Sequence, residues 1–575
     1  MSALRRLVVA FLVVGVVVGL SSCSGVIGLP VSGPVRELTP TEQRSYRVFT
    51  NPTGPSDDMQ PEAIVKGLLD AMPAGVQSDG FATARQFLTE TCAKRWRADS
   101  KTVIYNDVPQ ITRRASTIKP SLNARNKTLV TVELRVRGYL DAHGIYSPAS
   151  SGTIKKYDLI LLKTQGQWRI DEVPDGSAIS TSDFDQVFRE VALYWLSSSQ
   201  REFIPDVRWF CWRDWRTQTI RELLDGEADW LKEAVSKVDG GHIALDAKKV
   251  TFHDSKTYVG LSFGLQRLTA SQRGILVRQI RLSLGDGSPA TEIKVTSGDK
   301  DFSRADANVG ISADASLNQM YTLSAGNIIS LKSSSAIRVA QAGLMNARSL
   351  VFSPKGGAVL REEGVVDRLG PTGETKERMF AGSKVRAIAR GVSDEIWAID
   401  SAGKRLLVDD GHQELTLSIP NLRKNQSAGT FILSPEGDRV AFSIVSEDKD
   451  LSGMGLTAIC RDHDGKAKAL SYSFKMISTQ TGISMMTFYN DVTLIYATDF
   501  QQGLSGQHAY RQLAPGLESS QELPDGGAVD LATGEVNMFR RLTVLDGTGT
   551  ARVVDGSLES PWSIADSQVS AISRQ

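Results

Sequence analysis

The sequence predicts a multidomain protein in which two α+β domains precede an all-β propeller of about five or six blades. Three observations support this prediction. An apolar leader ends at Cys23, helical and strand patterns alternate over residues 61–305, and residues 310–575 lose helical periodicity and show a repeat of about 40 residues. With 41% hydrophobic and 23% charged residues, the 575-residue chain has the composition of an ordinary folded protein.

Residues 1–22 have the features of a signal peptide. Arg5 and Arg6 form a positive n-region, and residues 7–20 are apolar and uncharged. This run is shorter than the ~20 residues that span a bilayer, and its flanks are typical of a secretory signal. The sequence L-S-S-C at residues 20–23 resembles a bacterial lipobox, which implies cleavage before Cys23 and acylation of its sulfur. An ordinary cleaved signal, or an uncleaved anchor with an incidental Cys23, is the alternative.

Residues 23–60 are predicted to be an acylated, flexible tether, because glycine and proline recur there and bulky apolar residues are few. Acyl chains on Cys23 would hold the protein at the extracytoplasmic face of the cell membrane. The formal net charge of +1 gives no electrostatic case for binding nucleic acid.

The cysteines and histidines predict neither a metal site nor a cofactor. Three cysteines follow Cys23, namely Cys92, Cys211 and Cys460, and their wide spacing is not a disulfide framework. A single Cys92–Cys211 bridge and three free thiols are both compatible with the sequence. The six histidines are scattered without metal-ligand spacing.

The first domain is predicted over residues 61–184. Apolar residues recur at helical spacing over 64–69 and again around 82–91, whereas residues 128–140 alternate like a half-buried strand. Residues 157–163 and 167–171 then read as a hairpin. Helices followed by an antiparallel sheet ending in G-Q-W-R-I-D resemble the NTF2-like fold. The Asp–His pair of enzymes with that fold is not found in this segment.

The second domain is predicted over residues 185–305, with strands at 187–195 and 203–209, a helix at 220–235, strands at 247–252 and 257–262, a helix at 275–284 and a strand at 292–296. This order, with the motifs F-I-P-D-x-R-W and L-L-D-G-x-x-x-W-L, resembles the GerMN domain of bacterial envelope proteins. The residues after Gly226 are Glu227 and Ala228, where that pattern usually has Pro-Ser.

The second domain also contains five of the nine tryptophans. Trp195, Trp209 and Trp230 are expected in its core, because aromatic residues dominate core burial. Trp212 and Trp215 lie among the charged residues Arg213 and Arg216. Tryptophan and arginine are enriched at binding hot spots, so these four residues form a candidate interface, with burial in the core as the alternative.

The propeller is predicted over residues 310–575. The segments around Ser353-Pro354 and Ser434-Pro435 are similar, and Ser393 lies about midway between them. Such spacing matches a four-stranded blade, and the S-P-x-G turn suits the reversal between two strands. The segment 561–565 is expected to pair with the first blade and close the ring.

The order of lipobox, NTF2-like region, GerMN domain and propeller resembles the LpqB family of actinobacterial lipoproteins. That resemblance implies an envelope lipoprotein that contacts the extracytoplasmic sensor region of the histidine kinase MtrB and acts as an accessory of the MtrAB two-component system. A cell-wall glycan or peptidoglycan is the alternative partner, with Trp212 and Trp215 as the stacking surface.

Catalysis is not predicted. Propeller hydrolases place carboxylates around a cation, and the candidate acids here (Asp394, Glu395, Glu436, Asp438 and the run 447–450) are expected at solvated turn tips. The serines of the S-P turns do not lie in a G-x-S-x-G nucleophile elbow. The sequence therefore favours a binding protein over an enzyme.

Overall fold

The computed structural model describes residues 52–114, 126–237, 242–247, 249–285, 292–311, 319–332, 337–341, 344, 346–499, 507–523, 527–537, 539–555 and 560–574. Residues 47–575 belong to one compact unit. The predicted leader, Cys23 and the first part of the tether lie outside the described residues.

The first region is a mixed sheet packed against helices. Its strands are β1 (Lys101–Arg114), β2 (Lys127–Asp141), β3 (Tyr146–Pro148), β4 (Ile154–Thr164), β5 (Gln167–Glu172) and β6 (Ser177–Ser180). Its helices are α1 (Pro61–Ala74), α2 (Ala82–Gln86), α3 (Glu90–Arg95) and α4 (Thr181–Val187), with a π-helical turn at Gly75–Asp79. The strand order is β5-β4-β2-β1-β6, with β3 beside β2 and β6 parallel to β1.

Local sequence explains where these helices begin. Pro61 stands in the first turn of α1, where its missing N–H costs nothing. The Thr89 side chain accepts a hydrogen bond from the Cys92 N–H and caps α3. The apolar face of α1, which includes Ile64 and Leu68, is buried in the same core as the sheet. The predicted strand at 128–140 is β2, and the predicted hairpin is β4–β5, so both predictions are confirmed.

The second region contains two small sheets and two longer helices. Its elements are β7 (Phe188–Leu196), β8 (Phe203–Cys211), α5 (Trp215–Asp225), a 3₁₀ turn (Asp229–Leu231), β9 (Thr251–His253), β10 (Lys256–Gly260), α6 (Gly264–Arg267), α7 (Ala270–Leu284), β11 (Glu292–Ser297), β12 (Lys300–Asp301) and a 3₁₀ turn (Ala305–Asn308). Strands β7 and β8 pair as a hairpin, and the other sheet has the order β12-β11-β10-β9. The predicted strand 247–252 was wrong in extent, because the chain joins the sheet only at Thr251.

Helix α7 is hydrogen-bonded to the backbone of strand β7 at Tyr194. The Gln279 side chain donates to the Tyr194 carbonyl at 2.9 Å, and the Tyr194 N–H donates to Ser283 Oγ at 3.0 Å. A capping box between Thr269 and Gln272 fixes the start of this helix. The side chains of α7 thus satisfy both backbone groups of Tyr194.

The third region is a succession of antiparallel sheets. The first sheet contains β13 (Tyr321–Ser324), β14 (Asn327–Ser330) and β15 (Ile337–Gln341), and the second contains β16 (Ala347–Ser353), β17 (Gly356–Arg361), β18 (Val366–Leu369) and β19 (Thr375–Met379). The third sheet contains β20 (Val385–Arg390), β21 (Ile396–Asp400), β22 (Arg405–Asp409) and β23 (Glu414–Ser418). The fourth sheet contains β24 (Gln426–Leu433), β25 (Arg439–Ser446), β26 (Gly453–Arg461), β27 (Ala467–Leu470) and β28 (Lys475–Ser478). The fifth sheet contains β29 (Ile483–Phe488), β30 (Thr493–Thr498), β31 (His508–Leu513) and β32 (Glu518–Glu522), and the sixth contains β33 (Ala528–Val536), β34 (Phe539–Asp546), β35 (Ala551–Asp555) and β36 (Ser563–Asp566). The last strand is β37 (Val569–Ile572).

The innermost strands of these sheets form a closed ring. Over the described residues there are six sheets, and strand β37 pairs with β13 in the first of them. Neighbouring contacts run β37–β16–β20–β24–β29–β33 and back to β37. The prediction that 561–565 closes the ring was wrong, because β36 pairs with β35 at the outer edge of the last sheet. The third region is propeller-like, and its last strand closes it.

The repeated turns have the role that the sequence predicts. Ser353 ends β16 and Ser434 follows β24, so both S-P turns join the first two strands of a sheet, and Ser393 occupies the same place between β20 and β21. Gly356 has φ +112°, and a Cβ there would lie 2.4 Å from the Leu369 carbonyl oxygen, which explains the glycine.

One hydrophobic core joins the second and third regions. A contiguous cluster of buried side chains runs from Val191 and Trp195 of the β7–β8 hairpin to Phe431, Phe442 and Tyr496 of the propeller-like ring. A second cluster joins the first region to Trp209 of β8. The regions are therefore packed against each other rather than connected only by the chain.

Candidate functional site

A stripe of alternating arginine and aromatic side chains crosses the second region. We call Arg189, Trp212, Trp215, Arg216 and Phe252 the arginine–aromatic stripe. The Arg189 guanidinium lies 5.0 Å from the Trp212 ring centroid and 4.0 Å from that of Trp215. Arg216 lies 4.4 Å from the Trp215 ring and 4.2 Å from that of Phe252. Cation–π contacts of this kind hold both partners in one arrangement.

The turn after β8 positions one end of the stripe. The backbone N–H of Trp212 donates to the Val187 carbonyl at 3.1 Å, and the backbone N–H of Asp214 donates to the Cys211 carbonyl at 3.0 Å. Helix α5 then begins at Trp215, which carries that ring into the core. The stripe thus has a buried centre and more accessible ends.

Of the four candidate interface residues, the structure brings Trp212, Trp215 and Arg216 together and leaves Arg213 at the surface. Trp212 and Arg216 are half-buried, and Arg213 is exposed and donates to the Ser78 carbonyl of the first region. Trp215 is only 4% exposed, so its place on an exposed platform was wrong. The reason is its position in the first turn of α5, which faces the core of the second region. Sequence reasoning missed Arg189 and Phe252, because both are distant in the chain from the segment 212–216.

The first region packs against the same turn. Cys211 Sγ donates to the Val76 carbonyl at 3.3 Å, and Arg213 of the turn donates to the Ser78 carbonyl. Cys92, Cys211 and Cys460 are free thiols, so the Cys92–Cys211 bridge is not formed. Burial raises the pKa of the Cys211 thiol, which keeps it protonated and poorly nucleophilic.

A buried ionic cluster lies where the second region meets the ring. Arg439 is fully buried and donates to the Glu436 carboxylate from Nε at 2.5 Å and from Nη2 at 3.0 Å. The Tyr194 hydroxyl of β7 donates to Asp491 Oδ2 at 2.8 Å. Arg439 also donates to the Asp491 carbonyl, so the two contacts share one turn of the ring.

A neighbouring pair of carboxylates flanks Arg461. Its Nε lies 2.9 Å from Asp438 Oδ1, and its Nη2 donates to Glu395 Oε1 at 2.6 Å. Glu395, Glu436 and Asp438 are buried, so the prediction that these turn acids are solvated was wrong. They face a packed protein surface or an arginine rather than water. Asp394 does lie nearer to solvent, where it pairs with Lys355 at 2.6 Å.

Two acids of this junction hold protons more tightly than free carboxyls do. Burial raises the pKa of Asp438 to about 7, against the opposing effect of Arg461. Burial also raises the pKa of Glu202 to about 7, with a contribution from the negative charge of Glu436. Both groups therefore bind more protons in the folded protein than in the unfolded chain.

We expect the folded protein to be more stable at pH 5 than at pH 8. A carboxyl with a raised folded pKa contributes stability that is fully present below its unfolded pKa and is lost as the pH rises through the folded value of about 7. Thermal unfolding across this pH range measures the effect, and Asp438→Asn should make the unfolding midpoint depend less steeply on pH. The matched control is Asp410→Asn, because the pKa of Asp410 is lowered to about 2 by hydrogen bonds from backbone N–H groups and Lys466, against the effect of its burial. A wild-type midpoint that does not fall between pH 5 and pH 8 would contradict the expectation.

Arg574 connects three of the innermost strands through hydrogen bonds. Arg574, just after β37, donates to Asp530 Oδ1 of β33 from Nε at 2.9 Å and from Nη2 at 2.6 Å. Its Nη1 also donates to Thr430 Oγ1 of β24 at 3.3 Å. Asp530 is therefore engaged in an ion pair inside the ring.

A second ionic cluster lies between the first and second regions. Arg208 is buried and donates to Asp206 Oδ2 at 2.9 Å and to Glu222 Oε2 at 2.7 Å. His143 Nδ1 of the first region lies 3.1 Å from the same Glu222 oxygen, and Asp225 is close by. Sequence reasoning predicted no metal site because His143 is far from Glu222 and Asp225 in the chain.

The architecture defines a mostly β protein with a helix-containing first half and a propeller-like second half. A family model described as "Lipoprotein LpqB, N-terminal domain" matches residues 54–185. Lipoprotein LpqB of Bifidobacterium longum (strain NCC 2705) is 41% identical over 573 residues, which cover 99% of each chain. Lipoprotein LpqB of Streptomyces coelicolor is 29% identical over 51% of this chain and 49% of its own.

This chain belongs to the LpqB family of lipoproteins. Its relatives are named as lipoproteins rather than as enzymes, and membership of a lipoprotein family implies attachment to a membrane through lipid. Within the described residues, no helix is long and apolar enough to cross a membrane.

Solved structures resemble parts of the chain only weakly. A streptogramin B lyase is 16% identical and covers 43% of this chain and 78% of its own, with a TM-score of 0.27. A calcium-binding regucalcin from Agrobacterium tumefaciens is 10% identical and covers 38% of this chain and 74% of its own, with a TM-score of 0.28. At these TM-scores, neither protein's activity is carried over to this chain.

Proposed function

We propose that the protein is an extracytoplasmic lipoprotein, held at the cell membrane through Cys23, that acts without catalysis as an accessory of a sensor histidine kinase. The kinase is of the MtrB type, as the LpqB resemblance implies, and the role is regulation of cell-envelope homeostasis through its two-component system. Cleavage before Cys23 and acylation of that residue belong to this proposal.

The proposal also includes a finer description of the fold. The first region is an NTF2-like domain, because helices pack on one side of a sheet whose longest strands, β1 and β2, carry register shifts that curve it. The second region is a GerMN domain, and the third is a six-bladed propeller closed by β37. None of these folds requires a chemical activity.

The observation that carries the proposed function is the accessible end of the arginine–aromatic stripe. Trp212 is half-buried beside Arg189, and the exposed Arg213 is next to it in the sequence. Tryptophan and arginine contribute most to hot spots when a rigid scaffold holds them. Here the scaffold is rigid because the turn after β8 is hydrogen-bonded to the first region and packed on the core.

Tethering strengthens such an interaction without a tight site. A lipid anchor confines the protein and the kinase ectodomain to the same membrane surface, which raises their effective concentration. The accessory changes signalling only if it binds two states of the kinase with different affinities. The absence of a nucleophile elbow in the sequence and the pairing of Asp530 with Arg574 favour this role over catalysis.

We expect the full chain in detergent to bind the purified sensor region of the partner kinase, and the double substitution Trp212→Ala with Arg213→Ala to weaken binding by about tenfold or more. An equilibrium titration followed by fluorescence anisotropy measures this affinity. The control is Phe263→Ala, which removes an aromatic ring of the second region that is exposed and lies outside the stripe. No saturable binding by the wild-type chain would contradict direct contact with the kinase.

A cell-wall glycan is the second candidate partner. Phe252 is 50% exposed and continues the stripe beyond Arg216, so it offers a face on which a sugar ring can stack. Co-sedimentation of the full chain with purified peptidoglycan tests this function, and Phe252→Ala should reduce the bound fraction. Retention of kinase binding together with no sedimentation would reject the glycan role alone.

A further inference from the structure

The turn between β2 and β3 holds His143 in a fixed position. Asp141 Oδ1 accepts hydrogen bonds from the His143 N–H at 3.0 Å and from the Ile145 N–H at 2.8 Å. The Gly144 carbonyl accepts a hydrogen bond from the backbone N–H of Trp209 at 2.8 Å, which connects the turn to strand β8. Gly144 has φ +76°, and a Cβ there would lie 2.8 Å from the Trp209 carbonyl oxygen. The imidazole is therefore presented to the second region by a well-supported turn.

Helix α5 presents two carboxylates to that imidazole. Glu222 and Asp225 are three residues apart, so they lie on the same face of the helix near its last turn. One ligand atom from each of His143, Glu222 and Asp225 lies within 4.8 Å of the others. Bonds of about 2.0–2.2 Å from nitrogen and oxygen to one cation place the ligand atoms roughly 3–4 Å apart. His143 Nδ1 and Glu222 Oε2 are already 3.1 Å apart, and a small movement of the exposed Asp225 side chain would complete this spacing.

The charge at this junction is unbalanced. Arg208 and Lys475 supply two positive charges, whereas four acids supply four negative charges, namely Asp141, Asp206, Glu222 and Asp225. A divalent cation would balance this excess of two negative charges.

The accessibility of the three residues differs in a way that suits binding from solution. The His143 side chain is 58% exposed and Asp225 is exposed, so an ion can reach them. Glu222 is buried against Arg208, which fixes the orientation of its carboxylate. This fixed carboxylate resembles the supported ligands that metal sites require.

We propose that His143, Glu222 and Asp225 bind a divalent transition-metal ion such as Zn²⁺ at the junction of the first and second regions. One nitrogen and two carboxylate oxygens form a donor set that Zn²⁺ accepts, with water completing its coordination. The ion links the β2–β3 turn to helix α5 and so stabilises the packing of the two regions. This site is independent of the kinase or glycan partner.

The test is a calorimetric titration of the chelator-treated full chain in detergent with zinc chloride. We expect one zinc ion per chain and a rise in the thermal unfolding midpoint, because a ligand that binds the folded state stabilises it. His143→Ala and Asp225→Asn should each weaken zinc binding by about tenfold or more. Both positions are at the surface, so these variants are expected to fold, and far-ultraviolet circular dichroism checks this.

The matched control is His253→Ala. His253 Nδ1 lies 3.3 Å from Asp254 Oδ2, and its side chain is 57% exposed, so it reproduces an exposed histidine beside a carboxylate. It is not part of the three-ligand group. Loss of zinc binding in His143→Ala but not in His253→Ala would support the site. Wild-type protein that binds no zinc, or equal loss in both variants, would overturn it.

Discussion

Deletion of residues 569–575 is expected to abolish cooperative unfolding of the propeller-like ring. The deletion removes β37, the partner of β13, and with it Val569, Ala571 and Ile572, which are buried. Burial of a valine or isoleucine side chain contributes about 1.5–3 kcal/mol, and the total free energy of unfolding of a domain is only about 5–15 kcal/mol. The loss of Arg574 would also leave Asp530 buried without its cation. Thermal unfolding followed by circular dichroism, together with limited proteolysis, measures the result.

Two point substitutions in the same strand separate ring closure from a general effect of truncation. Ile572 is fully buried, so Ile572→Asp should reproduce most of the destabilisation caused by the deletion. Ser570 is the one exposed residue of β37, so Ser570→Asp should change the unfolding midpoint less than Ile572→Asp does. If the truncated chain unfolds like the wild type, another segment closes the ring, and the originally expected segment 561–565 becomes the alternative.

The repeat within the third region was predictable because its signal is local. An S-P turn followed by glycine needs only neighbouring residues, and Ser353, Ser393 and Ser434 all fall between the first two strands of a sheet. The closing strand gave a weaker signal. Segments 561–565 and 569–572 are both short, and of the two strands β36 and β37 only β37 places side chains in the core.

Strand β1 was not predicted although it is 14 residues long. Its pairing with β2 shifts register after Ile104 and again between Asn106 and Gln110, so the alternation of apolar and polar residues is interrupted. Pro109 within the strand weakens the pattern further. A local reading of periodicity therefore fails where the strand is irregular.

The candidate sites depended on tertiary packing that a single sequence does not reveal. Acids in a turn are usually solvated, yet Glu436 and Asp438 are buried because the second region covers that part of the ring. Trp215 was expected at the surface because charged residues adjoin it, but the first turn of α5 directs it inward. His143 and Glu222 are 79 residues apart, and only the packing of the two regions brings them together.

Substitution of Arg439 by alanine is expected to lower the free energy of unfolding by about 3–5 kcal/mol, because it leaves the buried Glu436 carboxylate without its cation. The loss includes the contact of the guanidinium with the Phe488 ring at 5.4 Å. Urea-induced unfolding of the full chain in detergent, followed by tryptophan fluorescence, measures the change.

Arg97→Ala provides the comparison between a buried ion pair and a solvent-exposed one. Arg97 pairs with Asp175 at 2.7 Å, but its side chain is 75% exposed, so this substitution should change the free energy of unfolding little. The double substitution Arg439→Met with Glu436→Met removes both charges and should recover much of the stability lost in Arg439→Ala, because neither charge is then left buried alone. Equal costs for Arg439→Ala and Arg97→Ala would show that the Arg439–Glu436 pair is solvated in the folded protein. A double variant as unstable as Arg439→Ala would show instead that the guanidinium acts through its packing on Phe488 and its hydrogen bond to the Asp491 carbonyl.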